Sequence, residues 1–210
     1  MTTRSEEQEK ETGRVEAFSD GVFAIAITLL VLEFKVPELP VGASNGDLLR
    51  ALANRWPSLV AFLGSFVAIL IMWINHHGLF RMIHRVDRSL LYANGFLLLL
   101  VTFVPFPTAV LAAYLGQAGE RAAAFFYCGT FVFVSIGWQI FWAAASRREL
   151  LKKSVSDETV SRIWSAYRWG FVVYTAAALL ALWNAAIGLC TCLSLWVLWT
   201  VLEYRVSAAD

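Results

Sequence analysis

Arg14-Val15-Glu16-Ala17-Phe18-Ser19-Asp20-Gly21 runs directly into Val22-Phe23-Ala24-Ile25-Ala26-Ile27-Thr28-Leu29-Leu30-Val31-Leu32. An arginine, a serine and an aspartate therefore stand at the mouth of an apolar stretch of membrane-crossing length. A charge near hydrocarbon costs free energy unless it is paired or faces water, so an acid in this place marks a candidate functional site.

The remainder of the chain reads in the same way. Of its 210 residues 59% are hydrophobic, with 9 Trp and 15 Phe, and the mean hydropathy is +0.61. Soluble domains average roughly 45–50% apolar residues, so the composition is that of an integral membrane protein. A hydrocarbon core of about 30 Å takes roughly 20 helical residues. Six stretches meet that length, at about 15–36, 56–76, 89–115, 121–145, 163–183 and 185–203. The expected fold is all-α, with six transmembrane helices in a domain over 14–205. A charged, frayed tail at 1–13 and a short one at 206–210 complete the chain. Trp169 to Leu202 is an apolar run of roughly 34 residues, about 51 Å as one helix; a tight hairpin near Asn184 divides it.

Basic residues test this count independently, because they collect in cytoplasmic loops. With six crossings and a cytoplasmic N-terminus, only Lys35, Arg50, Arg55 and Arg121 of the 17 basic residues lie outside. Both termini are thus expected in the cytoplasm. Pro37, Pro40, Gly42 and Gly46 punctuate the long external connection. Asn45-Gly46-Asp47 suits the start of a short helix there, and Ser156 suits an N-cap before Asp157-Glu158. The 16 acidic residues nearly balance the basic ones, so nothing points to a nucleic-acid partner. Cys128, Cys190 and Cys192 lack metal-site spacing and read as packing residues. The N-terminal residues lack the features of a secretory signal.

On a helix advancing 100° per residue, Ile25, Thr28, Leu29 and Leu32 form one stripe, and Asp20 lies about 140° from Ile25. Taken alone, such a stripe fits lipid contact or helix packing, and Thr28 fits a hydroxyl bonded back to its own helix. With the topology above, Ser19, Asp20, His76, His77 and Asn94 share one depth near the inner surface, where they are expected to form one hydrogen-bonded cluster. Three chemistries are open to it. It could be a structural clamp of mutually bonded polar groups. A metal could be held by Asp20, His76 and His77, although adjacent histidines point about 100° apart on a helix. Asp20 with His76 or His77 could instead form the proton relay of a proton-coupled small-solute transporter.

Arg14-x-x-x-Phe18-Ser19-Asp20-Gly21, with Trp73-x-Asn75-His76-His77, Asn94 and Pro105-Phe106-Pro107-Thr108, resembles the prokaryotic branch of the transmembrane protein 175 potassium-channel family. The resemblance implies a leak-type potassium channel and no enzymatic activity, in a bacterial plasma membrane. It implies a homotetramer of six-span subunits whose pore is lined by the first helix of each. Ile25 then falls on the narrowest apolar ring, Leu29 and Leu32 on further rings, and Thr28 on a hydroxyl ring linked to potassium preference. Arg14, Phe18, Ser19, Asp20 and Gly21 become the structural motif that anchors the pore helix, with His76, His77 and Asn94 as clamp partners. No metal or cofactor is implied. The partners are other copies of the chain, membrane lipid, and potassium with other monovalent cations as permeant ions. The chain itself has no Thr-Val-Gly-Tyr-Gly loop and no membrane helix with arginine at every third position, which agrees with a channel unlike the common voltage-gated kind.

Overall fold

The first helix, α1, spans Thr2–Leu29 and closes with a 3₁₀ turn at Leu30–Glu33. The computed structural model describes residues 2–207 apart from Arg148, with side chains for 10–200 apart from that same position. Two expectations change here. The polar segment up to Gly13 is helical from Thr2, because its run of Glu, Gln and Lys consists of strong helix formers without a breaker. The first crossing ends at Glu33, short of Val36, and Phe34 is already extended. Pro37 disfavours helical geometry in the residue before it, so the chain leaves the membrane in extended form.

Helix α2, Asn45–Ala53, begins with a full capping box. The Ser44 hydroxyl accepts from the Asp47 backbone N–H, and the Asp47 carboxylate accepts from the Ser44 backbone N–H at 3.0 Å. Helix α3, Trp56–Met82, runs beyond the expected end at 76. The predicted third span is two helices, α4 at Arg88–Phe103 and α5 at Pro105–Tyr114. Pro105 and Pro107 have no N–H to give to the carbonyls one turn back, which breaks the ladder at Val104. Val104 bonds Val101 in a tighter 3₁₀ pattern instead, at 3.1 Å.

Helices α6, Glu120–Ala145, and α7, Asp157–Trp183, follow, and α8 covers Ala185–Ser207. Ser156 caps α7 as expected by accepting from Thr159. The hairpin at Asn184 is present: Asn184 Oδ1 accepts from the Ile187 N–H at 3.1 Å. Among the described residues five helical stretches are long and apolar enough to cross a membrane, at 10–33, 56–82, 88–114 (α4 with α5), 120–145 and 157–183, and Ala185–Thr200 is a shorter apolar helix. The chain is thus a multi-pass membrane protein. Residues 208–210 of the expected C-terminal tail lie outside the described residues.

Helix α6 is the centre of the bundle. It packs on α4, α5, α7 and α8, and Tyr127, Phe131, Phe141 and Trp142 are buried. Lipid offers no hydrophobic drive for helices to associate, so close approach through small residues supplies the contact. Ala123, Ala124, Ala144 and Ala145 on α6, and Ala177, Ala178 and Ala181 on α7, serve this purpose. Beneath the bundle, the connection after α3 is tied to that after α6. His84 donates its backbone N–H to Leu150 at 2.7 Å, and Lys152 donates to Met82 at 2.9 Å. Asp87 caps α4 through Leu90 at 2.8 Å and accepts from Arg147 through its other oxygen at 3.1 Å.

Two tests follow from this packing. A Cβ at Gly188 would stand 2.5 Å from Ala181 Cβ and 2.6 Å from its Cα, so Gly188→Ala should destabilise the α7–α8 hairpin by about 1–3 kcal/mol; a melting temperature equal to wild type in detergent would show the contact to be slack. The bonds from the Ser44 hydroxyl and backbone hold the Asp47 carboxyl below the usual range. A depressed folded-state pKa gives stability above the unfolded value of about 3.9 that is lost as pH falls through the folded one. Protection factors for the Ser44 and Asp47 amides, corrected for intrinsic exchange, should therefore hold at neutral pH and fall in acid, and Ser44→Ala, which keeps only the backbone bond to Asp47, should weaken that dependence.

Candidate functional site

Helix α1 presents two unlike faces. Ser19, Phe23, Ala26 and Leu30 recur at spacings of three and four, and none exceeds 1% exposure. This face of α1 packs on α3 and α4, and the 3₁₀ turn that carries Leu30 packs on α3 and α5. The opposite face carries Arg14, Phe18, Gly21, Ile25, Thr28, Leu29 and Leu32, all exposed on the subunit. Phe18, Ile25 and Leu32 are 67%, 59% and 70% exposed. Because α1 continues without a break through Gly21, the motif and the stripe keep one helical phase. Arg14 makes no hydrogen bond or ion pair among the described residues.

Polar residues on the buried side meet α3 and α4 through three separate links. Asn94 is the hub of the innermost. Its Nδ2 donates to Ser19 Oγ at 2.9 Å, and Ser19 Oγ donates on to the Val15 carbonyl at 2.9 Å. Asn94 Oδ1 stands 2.9 Å from His76 Nε2. With the amide oriented this way, the proton on His76 sits on Nε2, and the donors point in one direction from His76 to Val15. His76 and Ser19 are both 0% exposed. Phe23, Phe80, Trp138 and Phe141 surround the His76 ring, at centroid distances of 4.6 to 6.4 Å.

Asp20 belongs to a second link, accepting from Trp73 Nε1 at 2.9 Å. The third joins His77 Nδ1 to Glu16 Oε1 at 2.7 Å, nearer the surface, and Trp73 stacks on the His77 ring. The single cluster expected from sequence is therefore divided: Asp20 and His77 share no bond with the Ser19, Asn94 and His76 set. Adjacent positions on a helix diverge by about 100°, which sends His76 inward and His77 outward, and likewise separates Ser19 from Asp20. Asp20 and the histidines face different partners, so neither a relay between them nor a three-ligand site is assembled. Among the described residues no three His, Cys, Asp or Glu side chains gather as a metal would require. Asn75 is turned to its own helix, donating to the Ile71 carbonyl at 3.0 Å. Glu16 and the Trp73 indole were not expected as partners; an i, i+4 relation between Glu16 and Asp20 on the face toward α3 was the available signal.

Comparison with known proteins bears on this arrangement. The family described as endosomal/lysosomal potassium channel TMEM175 matches residues 14–105. A protein of Chamaesiphon minutus named a potassium channel is 46% identical over 90% of this chain and 94% of its own length. The chain belongs to the TMEM175 family. The crystal structure of a lysosomal potassium-selective channel TMEM175 homolog from Chamaesiphon minutus superimposes with a TM-score of 0.80 at 44% identity, covering 92% of this chain and 98% of that one. The human endosomal/lysosomal proton channel TMEM175 is 31% identical over 68% of this chain, which spans only 30% of its length. TMEM175 proteins are ion channels, not enzymes. The matched stretch spans Val15, Glu16, Ser19, Asp20, Trp73, His76, His77 and Asn94, and so covers every position of the three links.

Removing the hub leaves the buried His76 Nε2 without a partner and Ser19 Oγ with only its bond to the Val15 carbonyl. Asn94→Leu should cost about 1–3 kcal/mol, the desolvation penalty of the orphaned His76 donor. A double-mutant cycle with Ser19→Ala, read by thermal unfolding in detergent, should show strong coupling; additive losses would mean that the two residues act separately.

Proposed function

We propose that this chain is one subunit of a homotetrameric, potassium-permeable leak channel, with both termini cytoplasmic, six crossings per subunit and α1 lining the pore. The observation that carries this reading is the division of α1 into an anchored face and an open one. Of the five long spans α1 is the least buried, at 22% of its apolar window, although it holds the buried polar links. A helix pinned so firmly on one side and left open on the other suits a position at the axis of an assembly. The names of the bacterial relatives and of the matching crystal structure supply the ion.

Ile25, Leu29 and Leu32 then form successive apolar rings, and a hydrophobic constriction of this kind gates by dewetting. Ile25 forms the narrowest. Thr28 Oγ1 donates its proton to the Ile25 carbonyl at 2.9 Å. Its lone pairs are thereby left as acceptors for a cation, and four such hydroxyls replace part of its hydration shell. Ser19 and Asp20 hold the pore helix at fixed depth and rotation, with His76, Asn94 and Trp73 as the other halves of the clamp. Phe18 and Gly21 share the open face, where neighbouring subunits approach.

In liposomes carrying potassium and sodium gradients, Ile25→Asn and Ile25→Ala should raise conductance and lower the potassium preference. Unchanged permeability ratios would remove Ile25 from the constriction. Asp20→Ala should reduce tetramer yield more than selectivity, because it orphans the Trp73 indole; a normal yield with altered ion preference would contradict the clamp role.

A further inference from the structure

We propose that the groove between α4 and α6 is a binding site for one anionic phospholipid per subunit. The groove has a volume of about 540 Å³ and opens on the outside of the subunit, away from the core. Its lining changes character along its length. Ser89, Tyr92 and Arg147 stand at the end beside the polar connections, while Phe96, Ile140 and Ala143 line the end toward the middle of the membrane. Helix α4 leads from Ser89 to Phe96 over about 10 Å, and Arg147, two residues past the end of α6, is followed back along that helix by Ala144, Ala143 and Ile140. Both walls therefore pass from polar to apolar in one direction along the helix axes, as a phospholipid does.

The polar end suits a phosphate. The Arg147 guanidinium donates to Asp87 at 3.1 Å and to Ser89 Oγ at 2.8 Å. Those bonds fix its plane but use only two of its five N–H groups, and its side chain stays 50% exposed. A planar guanidinium held rigid by its other contacts is pre-organised for charge-assisted bonds to phosphate oxygens. Asp87 offsets one positive charge, Arg85 is paired with Glu149, and Glu11 lines the adjoining pocket, so the attraction for phosphate rests on the free N–H groups of Arg147 with the exposed Arg88 nearby, not on a net positive field. The apolar end suits an acyl chain: Ala93, Ala143 and Ala144 form a shallow floor where larger residues would fill the space. Basic pockets between transmembrane helices near the membrane surface are a recurrent way of recognising anionic head groups. The site needs only that Ser89 and Arg147 stand at a membrane surface; the inner leaflet follows from the orientation proposed above.

Native mass spectrometry of the full-length protein in mild detergent, titrated with phosphatidylglycerol or phosphatidylethanolamine, tests the site. Wild type should retain phosphatidylglycerol preferentially. Arg147→Gln should weaken retention about tenfold, the scale of one charge-assisted hydrogen bond. Since Arg147 also steadies Asp87, Ala143→Phe provides the second variant: it fills the groove without touching the clasp, and it should lose the lipid while melting at the wild-type temperature. Equal retention of both lipids, or undiminished retention in Ala143→Phe, overturns the proposal. So does loss of the oligomer in Ala143→Phe with lipid content unchanged, which would assign the groove to a neighbouring subunit. Lipid retention is read without ion flux, so either result leaves the channel reading to its own test.

Discussion

Asn94 is the constraint on which the placement of α1 depends. A carboxamide both gives and accepts, so one side chain on α4 joins Ser19 on α1 to His76 on α3. In hydrocarbon there is no water to replace either bond, and a helix that rotated or slid by one residue would bury orphaned groups on all three helices. Asp20 to Trp73 and Glu16 to His77 repeat the tie at other azimuths. Three links spread around one helix end define rotation and depth together, which a single bond could not.

Away from this corner, polar groups serve the shape of the bundle. The α4–α5 break sits beside a second buried set, where Ser65 Oγ meets Thr108 Oγ1 at 2.6 Å and Tyr127 Oη at 3.0 Å. Thr108 also returns its own proton toward the Val104 carbonyl at the break, at 2.8 Å. The proline pair removes two helical donors, and nearby hydroxyls reconnect the segment to α3 and α6, which is how membrane helices tolerate such breaks. The result is a bent α4–α5 wall against α6, and it is this wall, with α3, that receives the buried face of α1.

The α1 stripe and the clamp motif are one statement about geometry. Arg14, Phe18, Ile25 and Leu32 return to nearly the same azimuth, and Ser19, Phe23, Ala26 and Leu30 occupy the other side. Once Ser19 is tied to Asn94, the direction of Ile25 and Thr28 is determined some way along the same rigid rod. A motif near one end of the helix thereby sets the exposure of residues that carry no polar anchor of their own.

Much of this was legible in the chain. Apolar runs of bilayer length gave the helices, Asn184 gave the hairpin, Ser156 gave a cap, and the Ile25, Thr28, Leu29 and Leu32 stripe was apparent from its period, because each of these is a local property of backbone hydrogen bonding and side-chain spacing. Partner choice was not legible. Ser19 and Asp20 are neighbours in sequence, as are His76 and His77, yet each pair splits between different partners, because the azimuth of a helix side chain acquires meaning only against the neighbouring helices. The division of the third span into α4 and α5 was written in Pro105 and Pro107, but the hydrogen bonds among Ser65, Thr108 and Tyr127 beside the break join side chains from three helices. Sequence determined which segments are long and apolar enough to cross a membrane and where polar residues fall along them; tertiary structure decided which of those polar groups satisfy one another, since that depends on contacts between segments far apart in the chain.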